Sequence, residues 1–142
     1  MQVSEAMTRD VRVASPTDTL RDVARIMADI DAGAVPIGDN DRLVGMITDR
    51  DIAVRAVAMG KGPDTQVQEI MSSEVLYCYE DDDIDDVAEN MADVQVRRLP
   101  VVNRDKRLVG IIALADIAER EGPHAAGVAV EGISKPGGPH SQ

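Results

Sequence analysis

The stretch Arg42-Leu-Val-Gly-Met-Ile-Thr-Asp-Arg-Asp-Ile52 returns as Arg107-Leu-Val-Gly-Ile-Ile-Ala-Leu-Ala-Asp-Ile117. No other feature constrains the fold as strongly. Each copy reads as a turn, a buried strand ending in two large aliphatics, and a helix that opens at once. A self-similar period of this length marks stacked copies of one supersecondary unit. In a chain of 142 residues, half-length pieces of about 60 residues bury too little surface to be secure alone, so a shared core is expected. The expected division is repeat one over 1–63, repeat two over 64–121 and a Gly- and Pro-rich tail over 122–142.

The match extends outward from the signature. Residues 3–7 (Val-Ser-Glu-Ala-Met) and 67–71 (Val-Gln-Glu-Ile-Met) read as short helical lead-ins, and extended pieces follow at Val11 to Ala14 and Val75 to Tyr79. Pro16 and Asp18, or Asp81-Asp82-Asp83, then open a helix. Its apolar stripe is Leu20, Val23, Ala24, Met27 and Ile30 in copy one, and Ile84, Val87, Ala88, Met91 and Val94 in copy two. The three acids suit a helix N-terminus better than a metal site. Short strands Ala34 to Ile37 and Leu99 to Val102 each carry an early proline, which implies a sheet edge or a strand start, an edge leaving one side free. Helices are expected over 48–59 and about 114–121, with Gly60 as a C-cap. In the tail, Val128 to Ile133 is a candidate docking segment and Lys135 to Gln142 a mobile end, with His124 and His140 as solvated histidines.

Composition narrows the function. The net charge of −11 argues against a general nucleic-acid or anionic-membrane binder. No apolar run nears the roughly 20 residues of a membrane span, and no signal-peptide pattern opens the chain, so a cytoplasmic location is the default. The core stock is aliphatic and Met-rich, with no Trp, no Phe and two Tyr. Cys78 stands alone, which excludes an intramolecular disulfide and gives no metal spacing; packing is its simpler role. With no histidine in the repeats, no base for the cysteine and no phosphate-cradling glycine loop, no catalytic constellation is present.

Thr48 and Asp51 share a face at the start of a helix. They read equally well as a capping box or as a hydroxyl and carboxylate aimed at a sugar. In copy two Ala113 replaces the threonine while Asp116 stays, which tilts the aspartate toward a ligand. Arg97-Arg98 reads as a solvated pair or a phosphate clamp, and Arg50 as a partner of Asp49 or Asp51 before a ligand contact. Tyr77 reads as core or dimer surface before a base platform.

The order of short helix, strand, helix, Ala34-Val-Pro-Ile37 or Leu99-Pro-Val-Val102 strand, Gly-h-h-Thr-x-x-Asp-Ile and helix resembles a CBS domain written twice, a Bateman module, over residues 3–120. Copy one's Thr-Asp-Arg-Asp-Ile is similar to small stand-alone bacterial CBS-pair proteins, some stress- or dormancy-associated. The resemblance implies an α/β (α+β) fold of two small sheets with flanking helices, related by a pseudo-twofold. It also implies clefts between the repeats for AMP, ADP, ATP or S-adenosylmethionine. Carried onto this chain, Asp51 with Thr48, and Asp116, would hold ribose, while Arg50, Arg97 and Arg98 would meet phosphate. Val11, Val13, Gly33, Ala34, Val35, Tyr77, Leu99 and Pro100 would contact the base. The function so implied is a non-enzymatic sensor with no required cofactor or metal. Its regulatory ligand is an adenine nucleotide, AMP foremost, and it acts as a homodimer read by an unknown protein partner. The alternative is a ligand-free dimeric scaffold with degenerate sites.

Overall fold

The computed structural model describes residues 1–9, 11–94 and 96–121, the last three as backbone. The expected docking segment, the mobile end, His124 and His140 lie outside the described residues. The chain divides into two compact units, cut elsewhere than the sequence repeats. Arg12–Val75 forms the first, and Met1–Val11 with the chain from Leu76 forms the second.

The first unit contains helix α1 (Leu20–Ile30), strands β1 (Ala34–Asp39) and β2 (Arg42–Thr48), and helix α2 (Asp49–Asp51). The second contains β3 (Cys78–Tyr79), α3 (Ile84–Val94), β4 (Arg98–Val102), β5 (Leu108–Ala113) and α4 (Leu114–Glu121). β1 and β2 pair antiparallel, as do β4 and β5, and β3 joins β4 in parallel. Single bridges supply the missing edges: Ala14 on Ile37 and Ser72 on Met46 in the first unit, Thr8 on Ile111 in the second.

Both lead-ins form a 3₁₀ turn, Val3–Glu5 and Val67–Glu69. Each serves the unit that carries the other copy's signature. Ser72 exchanges both backbone bonds with Met46 (2.9 and 3.0 Å), and Thr8 does the same with Ile111 (2.8 and 2.9 Å). The glycine of each signature makes room. A Cβ on Gly45 would lie 2.5 Å from Met71 Sδ, and one on Gly110 2.6 Å from Met7 Sδ.

The edge alternative for the proline strands fails for β4. β4 is the middle strand of its sheet, with β5 on one side and β3 on the other. Ile111 faces Pro100 in register but gives both its backbone groups to Thr8, so Pro100 owes β5 no N–H. β3 pairs only with Val101 and Val102, beyond the proline, so no ladder bond is lost there either. In β1 the same geometry holds opposite Met46, and Ala14 N–H donates to the carbonyl of Pro36 at 3.1 Å.

Among the described residues the buried side chains form two clusters, one in each unit. The exchanged lead-ins explain this, since Val67 and Ile70 complete the first cluster and Val3, Ala6 and Met7 the second. The α3 stripe is as expected: Ile84, Val87, Ala88 and Met91 are buried and Val94 packs against them. In α1 only Leu20 and Val23 are buried, with Ile26 and Met27 packed alongside. Ala24 and Ile30 are exposed there, because a small unit covers only part of the stripe.

The helix expected over 48–59 is irregular. After α2 the chain runs as a π-helix over Ile52–Ala56 and a 3₁₀ turn over Val57–Met59 before Gly60 caps it at φ +80°. Of the three acids before α3, Asp83 serves the helix start and the other two hold the approach to it. Asp83 Oδ1 accepts from Asp85 N–H (2.9 Å) and Asp82 Oδ2 from Tyr79 N–H (2.9 Å). Asp81 grips Arg104 through both carboxylate oxygens, at 2.7 and 3.0 Å.

Candidate functional site: the strand-to-helix corners

Each signature strand ends where a helix begins, and the corner aspartate closes the joint. In the first unit Thr48 N–H donates to Asp51 Oδ2, and Asp51 N–H donates to Thr48 Oγ1, both at 3.0 Å. This is a complete capping box with Asp in the Glu position. The chain uses the same device at Thr19 and Asp22 (3.1 and 3.2 Å). The shorter acid is therefore no obstacle. In the second unit Ala113 N–H donates to Asp116 Oδ2 at 2.8 Å. Losing the threonine removes only one of the two bonds, so retention of Asp116 is no pointer to a ligand by itself.

Both aspartates are half-buried. Each commits Oδ2 to a backbone N–H, and Oδ1 has no hydrogen-bond partner among the described residues. A half-dry carboxylate oxygen fixed in place by its sibling can accept from a hydroxyl without reorganising.

The flanking residues are arranged as follows. Asp49 N–H donates to Gly33 O at 2.9 Å, and Leu114 N–H to Arg97 O at 3.1 Å, so each corner is tied to the start of the proline strand. The Asp49 carboxylate lies over Gly33, where a Cβ would come 2.9 Å from Oδ2. Sequence reasoning missed that contact, whose signal is a glycine just before β1 and an acid just after β2. Arg50, Arg97 and Arg98 are exposed. The expected side-chain pairing of Arg50 is absent among the described residues; its backbone N–H donates to Asp49 Oδ1 at 2.8 Å instead. An acid one residue away is reached more cheaply by the backbone than by a long guanidinium arm.

Of the expected base contacts, Val35, Leu99 and Pro100 are buried, with Val35 and Leu99 in the cores of their units. Gly33 is exposed, Ala34 and Val11 are half-buried, and Val13 is exposed. Tyr77 stacks edge-on against Tyr79 with centroids 5.7 Å apart, and Lys106 Nζ stands 6.0 Å from its centroid. Arg104 covers the Tyr79 ring at 4.2 Å. Cys78 is buried in the second core, and its thiol is pushed up to about 12, first by burial and then by the Asp82 charge. Among the described residues no group of three His, Cys, Asp or Glu could hold a metal ion, and no helix is long and apolar enough to cross a membrane.

The CBS domain model matches residues 3–57 and 67–121. The chain belongs to the CBS domain family. Its two CBS domains are a tandem pair, as the doubled signature implies. CBS domain-containing protein YhcV of Bacillus subtilis is 39% identical, covering 93% of this chain and 94% of that one. Hypoxic response protein 1 of Mycobacterium tuberculosis is 38% identical, covering 93% of each. A crystal structure of Hypoxic Response Protein I with two coordinated zinc ions matches at TM-score 0.77 and 38% identity, over 84% of this chain and 98% of that one. The CBS domain pair of MJ0100, solved with 5′-methylthioadenosine and S-adenosyl-L-methionine, matches at TM-score 0.74 and 30% identity, over 86% of this chain and 96% of that one.

Proposed function

We propose that this CBS pair is a regulatory sensor. It takes an adenosyl ligand, AMP foremost or S-adenosylmethionine, at its two strand-to-helix corners and signals by a change of conformation. The carrying observation is the pair of half-buried aspartates, each with Oδ2 fixed by backbone and Oδ1 left without a partner among the described residues. The adenosyl ligands of the MJ0100 pair support the class of ligand. In this reading Asp51 with Thr48, and Asp116, receive ribose hydroxyls, and Arg50, Arg97 and Arg98 face phosphate. Backbone near Gly33, Ala34 and Pro100, with Val11, Val13 and Tyr77, borders the base. Val35 and Leu99 contribute backbone only, since their side chains are 0% and 1% exposed. The protein works in the cytoplasm as a homodimer, without catalysis. The kinship with a hypoxic response protein points toward stress physiology.

A ligand can shift the dimer only by its differential affinity for the two states. Thermal-shift and calorimetric titrations with AMP, ATP and S-adenosylmethionine test the proposal. A hundredfold excess over the dissociation constant adds about 2.7 kcal/mol of stability. A folded protein unmoved by millimolar concentrations of all three ligands refutes it.

The second reading is a ligand-free dimeric scaffold. The completed capping box and the Ala113–Asp116 bond favour it, because they give both aspartates a structural task. That reading expects no titration signal and an unchanged function in Asp51→Asn.

A further inference from the structure

The two corners share a backbone and carry opposite charge. Ala34 faces Thr48 in the first unit as Arg98 faces Ala113 in the second. The bonds from Asp49 to Gly33 and from Leu114 to Arg97 occupy corresponding places. The first corner therefore sets two carboxylates, Asp49 and Asp51, against one guanidinium, Arg50. The second carries two arginines, Arg97 and Arg98, where the first has Gly33 and Ala34, and one acid, Asp116.

Packing couples these choices. The Asp49 carboxylate fills the space that any side chain at position 33 would need. An arginine there would have to swing the exposed acid aside, while in the second unit Leu114, at the corresponding chain position, packs against the core and leaves Arg97 no acid to displace. One corner is thus built without a cation before its proline strand, and the other with two.

We infer that the corners divide adenosyl ligands by charge. The Asp116 corner takes an adenosine phosphate and the Asp51 corner an adenosyl ligand without phosphate, with Asp49, Arg97 and Arg98 setting the choice. This rests on the adenosyl reading of the corners given above and narrows it: phosphate is left to Arg97 and Arg98, and Arg50 meets none. A phosphate gains charge-assisted, geometrically matched hydrogen bonds from guanidiniums and meets like-charge repulsion beside a second carboxylate. A thioether such as 5′-methylthioadenosine is indifferent to both. All three selecting residues are exposed, so the discrimination weakens with salt.

Calorimetry on the full chain at low ionic strength, with AMP and 5′-methylthioadenosine as probes, provides the test. AMP is expected to saturate at one per chain, leaving a second equivalent of the thioether to bind. Arg97→Gln with Arg98→Gln weakens AMP at least tenfold and leaves the thioether bound at the Asp51 corner within twofold. Asp49→Leu raises the AMP stoichiometry toward two. Circular dichroism checks that these surface variants stay folded. Two equal AMP sites in the unaltered chain, or equal loss of both probes in the arginine variant, overturn the division while leaving the adenosyl reading intact. Failure of both probes to bind the folded chain removes that reading, and the division with it.

Discussion

The backbone N–H of Ala113 donates to Asp116 Oδ2 at 2.8 Å, the same bond that Thr48 makes to Asp51 at 3.0 Å. The cap and the proposed ligand contact therefore use different oxygens of one carboxylate, and substitutions can separate them. Asp51→Ala removes the acceptor of the Thr48 N–H but leaves the residue-51 N–H on Thr48 Oγ1, so it is expected to cost about 1 kcal/mol in urea denaturation. Asp51→Asn keeps an acceptor oxygen, so most of that stability remains, but the charge-assisted contact to a ribose is gone. A sensor loses its nucleotide-induced thermal shift in the asparagine variant. If that variant responds to nucleotide like the unaltered protein, Asp51 is a cap and nothing more.

The signature glycines make a second expectation. A Cβ at Gly45 meets Met71 Sδ at 2.5 Å and Ser72 O at 3.0 Å; at Gly110 it meets Met7 Sδ at 2.6 Å and Thr8 O at 2.8 Å. Sulfur at the end of a flexible chain can yield, whereas a bridged carbonyl cannot yield without loosening the sheet edge. Alanine at either position is expected to destabilise by about 1–3 kcal/mol, with Gly110→Ala the worse because its carbonyl is nearer. Gly62→Ala, with nothing within 4 Å, serves as the neutral control. Equal melting temperatures for all three variants contradict the account.

Those glycines also show what sequence can reveal. The doubled Arg-Leu-Val-Gly run disclosed the repeat, the strands and the corners, because period and turn chemistry are local. It did not disclose that each lead-in serves the other copy's strand, since repetition makes the two partners look alike. The second hairpin is one residue longer than the first, counted from the strand proline to the signature glycine (Pro36 to Gly45, Pro100 to Gly110), and its cause lies in the turns. Asn40 and Asp41 turn the first hairpin in two left-handed residues (φ 52° and 66°). The second takes a longer route with Lys106 at φ 61°, organised by Asn103 Oδ1 accepting from Asp105 and Arg107 N–H, each at 3.0 Å. At the corner, Asp116 looked unpartnered without a threonine because its acceptor role toward a backbone N–H is invisible in residue identities.

The exchanged lead-ins make truncation informative. A fragment of residues 12–75 holds the whole first unit, whereas one ending at residue 63 lacks Val67 and Ile70, which are 0% and 1% exposed. Burial of such side chains is worth about 1.5–3 kcal/mol each. That loss is enough to unfold a marginal domain of this size. Circular dichroism should show cooperative melting for 12–75 and none for 1–63. Equal melting of the two fragments contradicts the division into units.

At the acid end, the hydrogen bonds from Arg104 hold the Asp81 carboxyl below its ordinary range. A depressed folded-state pKa adds stability above the unfolded value and loses it as pH falls through the folded one. Both side chains are substantially exposed, so the contribution is small and salt-sensitive. Arg104→Met should raise the Asp81 pKa in an NMR titration. It should also free the Tyr79 ring, which the guanidinium covers at 4.2 Å. An unmoved Asp81 titration rules out the pairing in solution.

At the alkaline end, Cys78 reports on the second core. Burial first, and the Asp82 charge second, push its thiol from 9.0 to about 12. A raised folded-state pKa gives a contribution that is complete below the unfolded value and is lost as pH climbs from 9.0 toward about 12. At pH 8 the folded thiolate fraction is on the order of one in ten thousand, and alkylation needs both thiolate and access. Iodoacetamide should therefore label the native protein only through opening of the unit, and label it rapidly in concentrated guanidinium. Asp82→Asn removes the lesser cause and should lower the thiol pKa only slightly, leaving native labelling slow. If the native thiol reacts at the rate of a free cysteine, Cys78 is not sealed between α3 and the sheet, and the second core is not closed as described.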